Sequence, residues 1–231
     1  MRPMLLPLLG VLLMLPAPSA EARPVNSEAQ GWYAAIAQGP IDRPFLYSLE
    51  LQPRVGQNDG RLILRSALGL ALPVPGLSVW LGYAWIPVWA WSDEDPTVRL
   101  NESRLYQQLL YNTALGPVKL VSRTRLEQRL LASASGASHR VRTLLRGAYP
   151  LDAEGTFSLV LWDEVFFHLN TVEGGPRAGF DQNRAFVGAA WKLSPHVALE
   201  VGYLNNFIRR PTAPADAMIH APYVFTVFNY L

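Results

Sequence analysis

Apolar and polar side chains alternate with a period of two along most of this chain. The segment 117–131, Pro-Val-Lys-Leu-Val-Ser-Arg-Thr-Arg-Leu-Glu-Gln-Arg-Leu-Leu, shows it best: Arg123, Arg125, Glu127 and Arg129 take every second position, with Thr124, Leu126 and Gln128 between them. Wound as a helix at about 100° per residue, Arg123 and Glu127 would face one side and Arg125 and Arg129 nearly the other, so neither face could be buried. Drawn out as a strand, all four charges share one face. Similarly, Phe45, Tyr47, Leu49 and Leu51 oppose Ser48, Glu50, Gln52 and Arg54, and Val197, Leu199, Val201 and Tyr203 oppose Glu200 and Gly202.

This pattern predicts strands at 45–54, 61–71, 77–90, 102–113, 117–131, 139–149, 156–168, 182–193, 197–208 and 221–231. Each is near or above the roughly 9–11 residues that a tilted strand needs to cross a membrane. A strand with one charged and one uncharged face suits a wall between water and an apolar medium, and about ten of them predict a transmembrane, antiparallel, up-and-down β-barrel. From residue 72 onward, short connectors (72–76, 114–117, 152–155, 193–196) alternate with longer polar ones (92–101, 132–138, 170–181, 209–220). Bacterial barrels put short turns in the periplasm and long loops outside. Gln30–Ala37, with Trp32 and Tyr33, resembles an eleventh strand. Because single-chain bacterial barrels have even counts, the expectation is ten wall strands, with this segment a short periplasmic or lumen-side extra. Twelve is the alternative.

The stretch Ala67–Trp91 is 25 residues without a charge, which a hydropathy scan reads as a membrane helix. Pro73, Pro75, Gly76 and Pro87 break that reading, and two strands joined by the turn at 72–76 explain it better. Residues 1–22 form an export leader: Arg2, an apolar core from Leu5 to Leu15, and the small-x-small site Ala20-Glu21-Ala22. The expected barrel domain is 23–231, in the bacterial outer membrane. Tyr83, Trp85, Trp89, Trp91, Tyr106, Tyr111, Tyr149, Trp191 and Tyr203 lie mostly toward strand ends, as a membrane aromatic belt would.

Charged residues make up 16% of the chain, against roughly 25% in an average domain. The 20 basic residues are 18 Arg and only 2 Lys, Lys119 and Lys192. Arg suits packed, forked ion pairs. A net charge of +2 without a basic cluster gives no support for nucleic acid, and the lack of Cys excludes disulfides and thiolate sites. His139, His168, His196 and His220 form no His-x-His or His-x-x-x-His pair, so neither a metal site nor a cofactor is expected. Ser138-His139 is read as a solvated loop pair, and His168, at i+4 from Glu164, as a member of an interior network. No nucleophile constellation supports an enzyme, and a lipid hydrolase is the least favoured reading.

The charged constellation is Glu50, Arg54, Arg61, Arg65, Glu102, Arg104, Arg123, Arg125, Glu127, Arg129, Arg140, Arg142, Glu164, Arg184 and Glu200. An Arg facing lipid near the midplane costs roughly 2–4 kcal/mol. Three on strand 117–131 would cost about 6–12 kcal/mol, comparable to a whole domain's stability. They must point inward, where Arg–Glu pairs would largely plug a narrow lumen.

Several motifs follow one another in order from Trp32 to the C-terminus. They are Leu49-Glu50-Leu51 with Arg54, Gly82-Tyr83, Asn101-Glu102 with Arg104 and Tyr106-Gln107-Gln108, and Arg125-Leu126-Glu127-Gln128-Arg129. Arg140-Val141-Arg142, Trp162 with Glu164, Phe166, Phe167 and Asn170, Phe180-Asp181-Gln182-Asn183-Arg184, and Glu200 with Gly202-Tyr203 complete the set. Together these motifs resemble the bacterial domain-of-unknown-function 2490 family, and the resemblance implies an outer-membrane β-barrel and no established activity. Two functions stay open: a structural or interaction barrel with an Arg/Glu-filled lumen, or a narrow channel for small anions. The partners expected are outer-membrane lipid and, through the C-terminal strand, the barrel assembly machinery.

Overall fold

The computed structural model describes residues 23–57, 59–90 and 98–230. The leader, Trp91 of the aromatic set, most of the connector at 92–101 and Leu231 lie outside the described residues. Eleven strands follow one another: β1 (Val25–Asp42), β2 (Phe45–Gly56), β3 (Asp59–Ala71), β4 (Leu77–Ala90), β5 (Val98–Leu115), β6 (Val118–Leu131), β7 (Ala137–Pro150), β8 (Phe157–His168), β9 (Gly179–Lys192), β10 (Val197–Ile208) and β11 (Asp216–Asn229). Each pairs antiparallel with the next, and β1 pairs with β11 to close the barrel.

The expected count of ten is therefore corrected to eleven. A meander reverses direction at every turn, so in an odd count the first and last strands run the same way. Closure is accordingly parallel, from Val25↔Asp216 through Trp32↔Tyr223 to Gln38↔Asn229. Segment 30–37 is thus wall and no accessory. Its strand character is legible in the sequence, and only the even-count rule argued against placing it in the wall; its faces differ in size more than in polarity. Gln30, Trp32, Ala34 and Ile36 face inward, while Ser27, Ala29, Gly31, Ala35 and Ala37 form a small-residue outer face broken by exposed Tyr33.

The two ends of the barrel differ as the connectors suggested. At one end the turns are tight, and Gly76 has φ 79°, where a Cβ would lie 2.0 Å from the Asn112 carbonyl oxygen. At the other end lie the longer loops, now trimmed to 132–136, 169–178 and 209–215 because β7, β9 and β11 begin earlier than expected.

Side-chain orientation is inverted relative to a water-soluble protein. Leu49, Leu51, Leu81, Trp85, Leu105, Leu126, Leu145, Leu161 and Val201 are exposed on the outer wall. Arg125, Glu127, Arg140, Arg142 and Glu164 are buried inside. Polar groups on the outer wall come in bonded pairs: Gln107 with Gln128 (3.0 and 3.2 Å), Thr124 with Thr143 (3.2 Å), and Asn183 donating to both oxygens of Asp163 (2.9 Å). On the inner wall, adjacent Gly188 and Gly202 leave room for Phe186, whose ring tip would be 2.5–2.7 Å from a Cβ at either position. Trp32, Phe186, Leu204 and Tyr223 pack into an aromatic cluster that fills the β8–β11 and β1 side of the lumen.

Candidate functional site: the charged lumen

Strand alternation turns the charged constellation inward, and the barrel wall brings its members together on the β2–β9 side. Toward the long-loop end the network is dense. The Arg104 guanidinium grips Glu102 with both prongs of its fork (2.7 and 2.8 Å), and Arg129 donates to the same carboxylate (2.5 and 3.2 Å). Arg140 gives Nε and Nη2 to Glu127 (3.0 and 2.6 Å) and Nη1 to Asp181 (2.8 Å). Arg142 lies 3.1 Å from Glu127 and donates to Glu164 at 3.0 Å. Glu127, only 1% exposed, is thus ringed by cations, with Arg104 at 3.8 Å as the third.

One step toward the short-turn end, Glu164 takes a hydrogen bond from Arg123 (2.7 Å), with Arg184 at 3.6 Å. Arg65 pairs with Glu50, and Arg146 reaches across the lumen to Glu200. Among the described residues, Arg54, opposite Arg61 near the long-loop end of β2, and Arg125 find no carboxylate. Arg54 donates only to the neutral Gln52 (3.0 Å) and lies over the Trp32 ring at 3.5 Å. Arg125 donates only to Gln108 (3.0 and 2.5 Å) and lies over Tyr106 at 4.0 Å. Arg61 is the exception in the set. It sits near the long-loop end, more than a third exposed, on Asp59 at 3.0 Å.

Sequence reasoning missed several members. Strict alternation groups Asp181 with the outward residues of β9. A bulge opposite Phe166/Phe167 instead lets neighbouring Asp181 and Gln182 both serve the lumen. Phe166, fully buried, is faced by Arg184 (4.4 Å), Arg140 (5.0 Å) and Arg142 (5.5 Å). Its position between Glu164 and His168 in the alternation was the available signal. Such stacking supplies cations with an attraction that no carboxylate provides.

Ser138 and His139 point apart, but Ser138 turns inward. Its hydroxyl lies 3.2 Å from His168 Nδ1, and His168 Nε2 is 3.3 Å from Asp181. Here Ser138 is fully buried and Asp181 is shared with Arg140. His196 stacks on Tyr230 at the short-turn end, and the His220 ring is 2.5 Å from the Tyr203 hydroxyl on the outer wall.

The plug is confined to one part of the lumen. Below it, a cavity of about 540 Å³ extends to the short turns, lined at its mouth by Lys119, Lys192 and His196 and at its far end by Arg54, Arg65, Arg125 and Arg142.

A family model described as protein of unknown function (DUF2490) matches residues 29–217, from within β1 to the start of β11. The chain belongs to this family. An uncharacterised protein of Methylorubrum extorquens is 34% identical over 210 residues, covering 87% of this chain and 88% of that one. No solved structure matches. Membership of DUF2490 brings no activity with it, so a functional reading has to come from the wall and lumen.

Proposed function

We propose that this DUF2490 protein is an outer-membrane β-barrel of structural or interaction type, whose lumen is closed by ion pairs. The observation that carries this reading is the inverted wall, with leucines and aromatics exposed outside and arginines buried within. Exposed apolar patches of this extent are unusual on a monomer in water and normal against lipid. The leader with its Ala20-Glu21-Ala22 site supports export. By the usual orientation, short turns face the periplasm and the cavity opens there. The last strand ends at that side and is the element that the barrel assembly machinery would read.

Orientation has a direct test, because β1 begins at the long-loop end beside Asp216. An epitope inserted ahead of Arg23 should be reached by antibody on intact cells, and one after Leu231 only on permeabilised cells. The reverse result would invert the barrel.

A second reading, a narrow anion pathway, is favoured by the excess of Arg in the lumen. The Glu102–Glu127–Asp181 network blocks it at the long-loop end. Planar-bilayer recordings on refolded protein should show no unitary steps. Steps selective for small anions would replace the closed barrel with the channel.

A further inference from the structure

The cavity below the plug has the layered chemistry of a binding site. Along β6 the inward residues run Lys119, Val121, Arg123, Arg125 from the mouth inward. On β5 the order is Asn112, Leu110, Gln108, and on β7 Leu144 precedes Arg142. A polar mouth, an apolar ring and an arginine floor therefore succeed one another. Lys119 to Arg125 spans roughly 20 Å of strand, or about 15 Å of depth at a tilt of about 40°.

The floor carries more cation than its own carboxylates balance. Nine Lys and Arg side chains line the cavity against three carboxylates, Glu50, Glu164 and Glu200. Arg54 and Arg125 are both more than nine-tenths buried with only neutral amides for partners. Among the described residues, Arg54 Nε, Arg125 Nη1 and Arg142 Nη2 have no hydrogen-bond partner. Buried cations in this state are costly unless an anion joins them. A forked oxyanion matches guanidinium geometry, and the volume falls within the roughly 300–1,000 Å³ of small-molecule sites.

We infer that this cavity binds a single-chain amphiphile, its carboxylate or phosphate head on Arg54 and Arg125 and its chain along Val121, Leu144 and Phe225. The inference rests on the proposed barrel only for the source of the ligand, on the periplasmic side. The pocket can be tested on refolded protein in detergent whatever the location, and conductance tests the closed lumen separately.

The probe is dodecanoic acid carrying a photoreactive diazirine on its chain, with labelled residues mapped by mass spectrometry. Alternation supplies the internal control, since Val121 and Leu144 face the cavity while Leu126 and Leu145 face outward. Label on Val121, Leu144 or Phe225 supports the site, and label confined to Leu109, Leu126 and Leu145 overturns it. Excess unlabelled dodecanoate should lower the inward label at least tenfold. Equal competition by dodecanol would remove the role of the arginine floor, and equal competition by acetate would remove that of the apolar ring. Dodecyl phosphate competing as well as dodecanoate supports a general oxyanion head, as on a phospholipid fragment, whereas its failure assigns the site to fatty acids. Arg54→Gln combined with Arg125→Gln should cut inward labelling at least tenfold while heat-modifiable gel mobility shows a folded barrel. If that variant fails to fold, the competition series on the unaltered protein still decides.

Discussion

Around the long-loop end of the lumen, Glu102, Glu127 and Asp181 occupy the forks of Arg104, Arg129 and Arg140, with most bonds between 2.5 and 3.0 Å. Arg54 and Arg125 rest on glutamines and aromatic faces, and toward the short turns Arg65, Arg123 and Arg146 have one carboxylate each. The two regions use the same residue types, and β6 and β7 contribute to both. What separates them is the ratio of acid to base. Where it approaches one, the side chains consume each other and the lumen is filled. Where base exceeds acid, the cations keep unused capacity and the wall stays open around them. A buried ion pair is thus a plug in one place, and its absence is a site in the other.

The largest expected effect breaks the sealed region. Glu127→Ala leaves Arg140 and Arg142 beside a missing carboxylate, and should cost about 3–5 kcal/mol, read as a lowered urea midpoint in lipid vesicles. Glu127→Gln should cost less, because an amide oxygen still accepts from Arg140. A midpoint unchanged by Glu127→Ala would mean that this region is not held by its ion pairs.

The outer wall provides the next test. Asp163 faces outward in the middle of β8, held by Asn183. If that wall meets lipid, Asp163→Leu should raise the midpoint in vesicles by up to about 2 kcal/mol. A loss of that size would argue that Asp163 meets water or a polar partner.

A smaller change sharpens the contrast from the other side. Arg125→Gln removes a cation without an acid, so stability should stay within about 1 kcal/mol of the parent or rise. Destabilisation equal to that of Glu127→Ala would make the two regions alike. Least of all, Leu126→Ala, beside Glu127 but outward-facing and more than a third exposed, should be nearly silent. If it proves more damaging than Glu127→Ala, the inside and outside of β6 have been exchanged.

Much of this architecture follows from local chemistry in the chain. Alternation within 117–131 dictates a strand and puts Arg125, Glu127 and Arg129 on one face, because the period of two is a property of extended backbone. Turn residues such as Pro75-Gly76 mark the reversals, and on the proposed membrane reading the cost of lipid-facing arginine decides which face is inside. The element bounds for 77–90 and 197–208 agree with the observed strands for that reason.

Three matters were decided only by the closed barrel. Residues 30–37 read as a strand, but β1 alternates large with small and offers no polarity pattern to place it in the wall, and its membership depends on a parallel seam with β11 some 190 residues away. Asp181 faces the lumen because a bulge shifts the β8–β9 register, and a single strand carries no record of its neighbour's register. The division into plug and pocket depends on which acids and bases meet across the lumen, as Arg146 meets Glu200 over 54 residues and Arg123 meets Glu164 over 41. Local pattern determines which way each side chain points. Only closure of the sheet determines what it finds there.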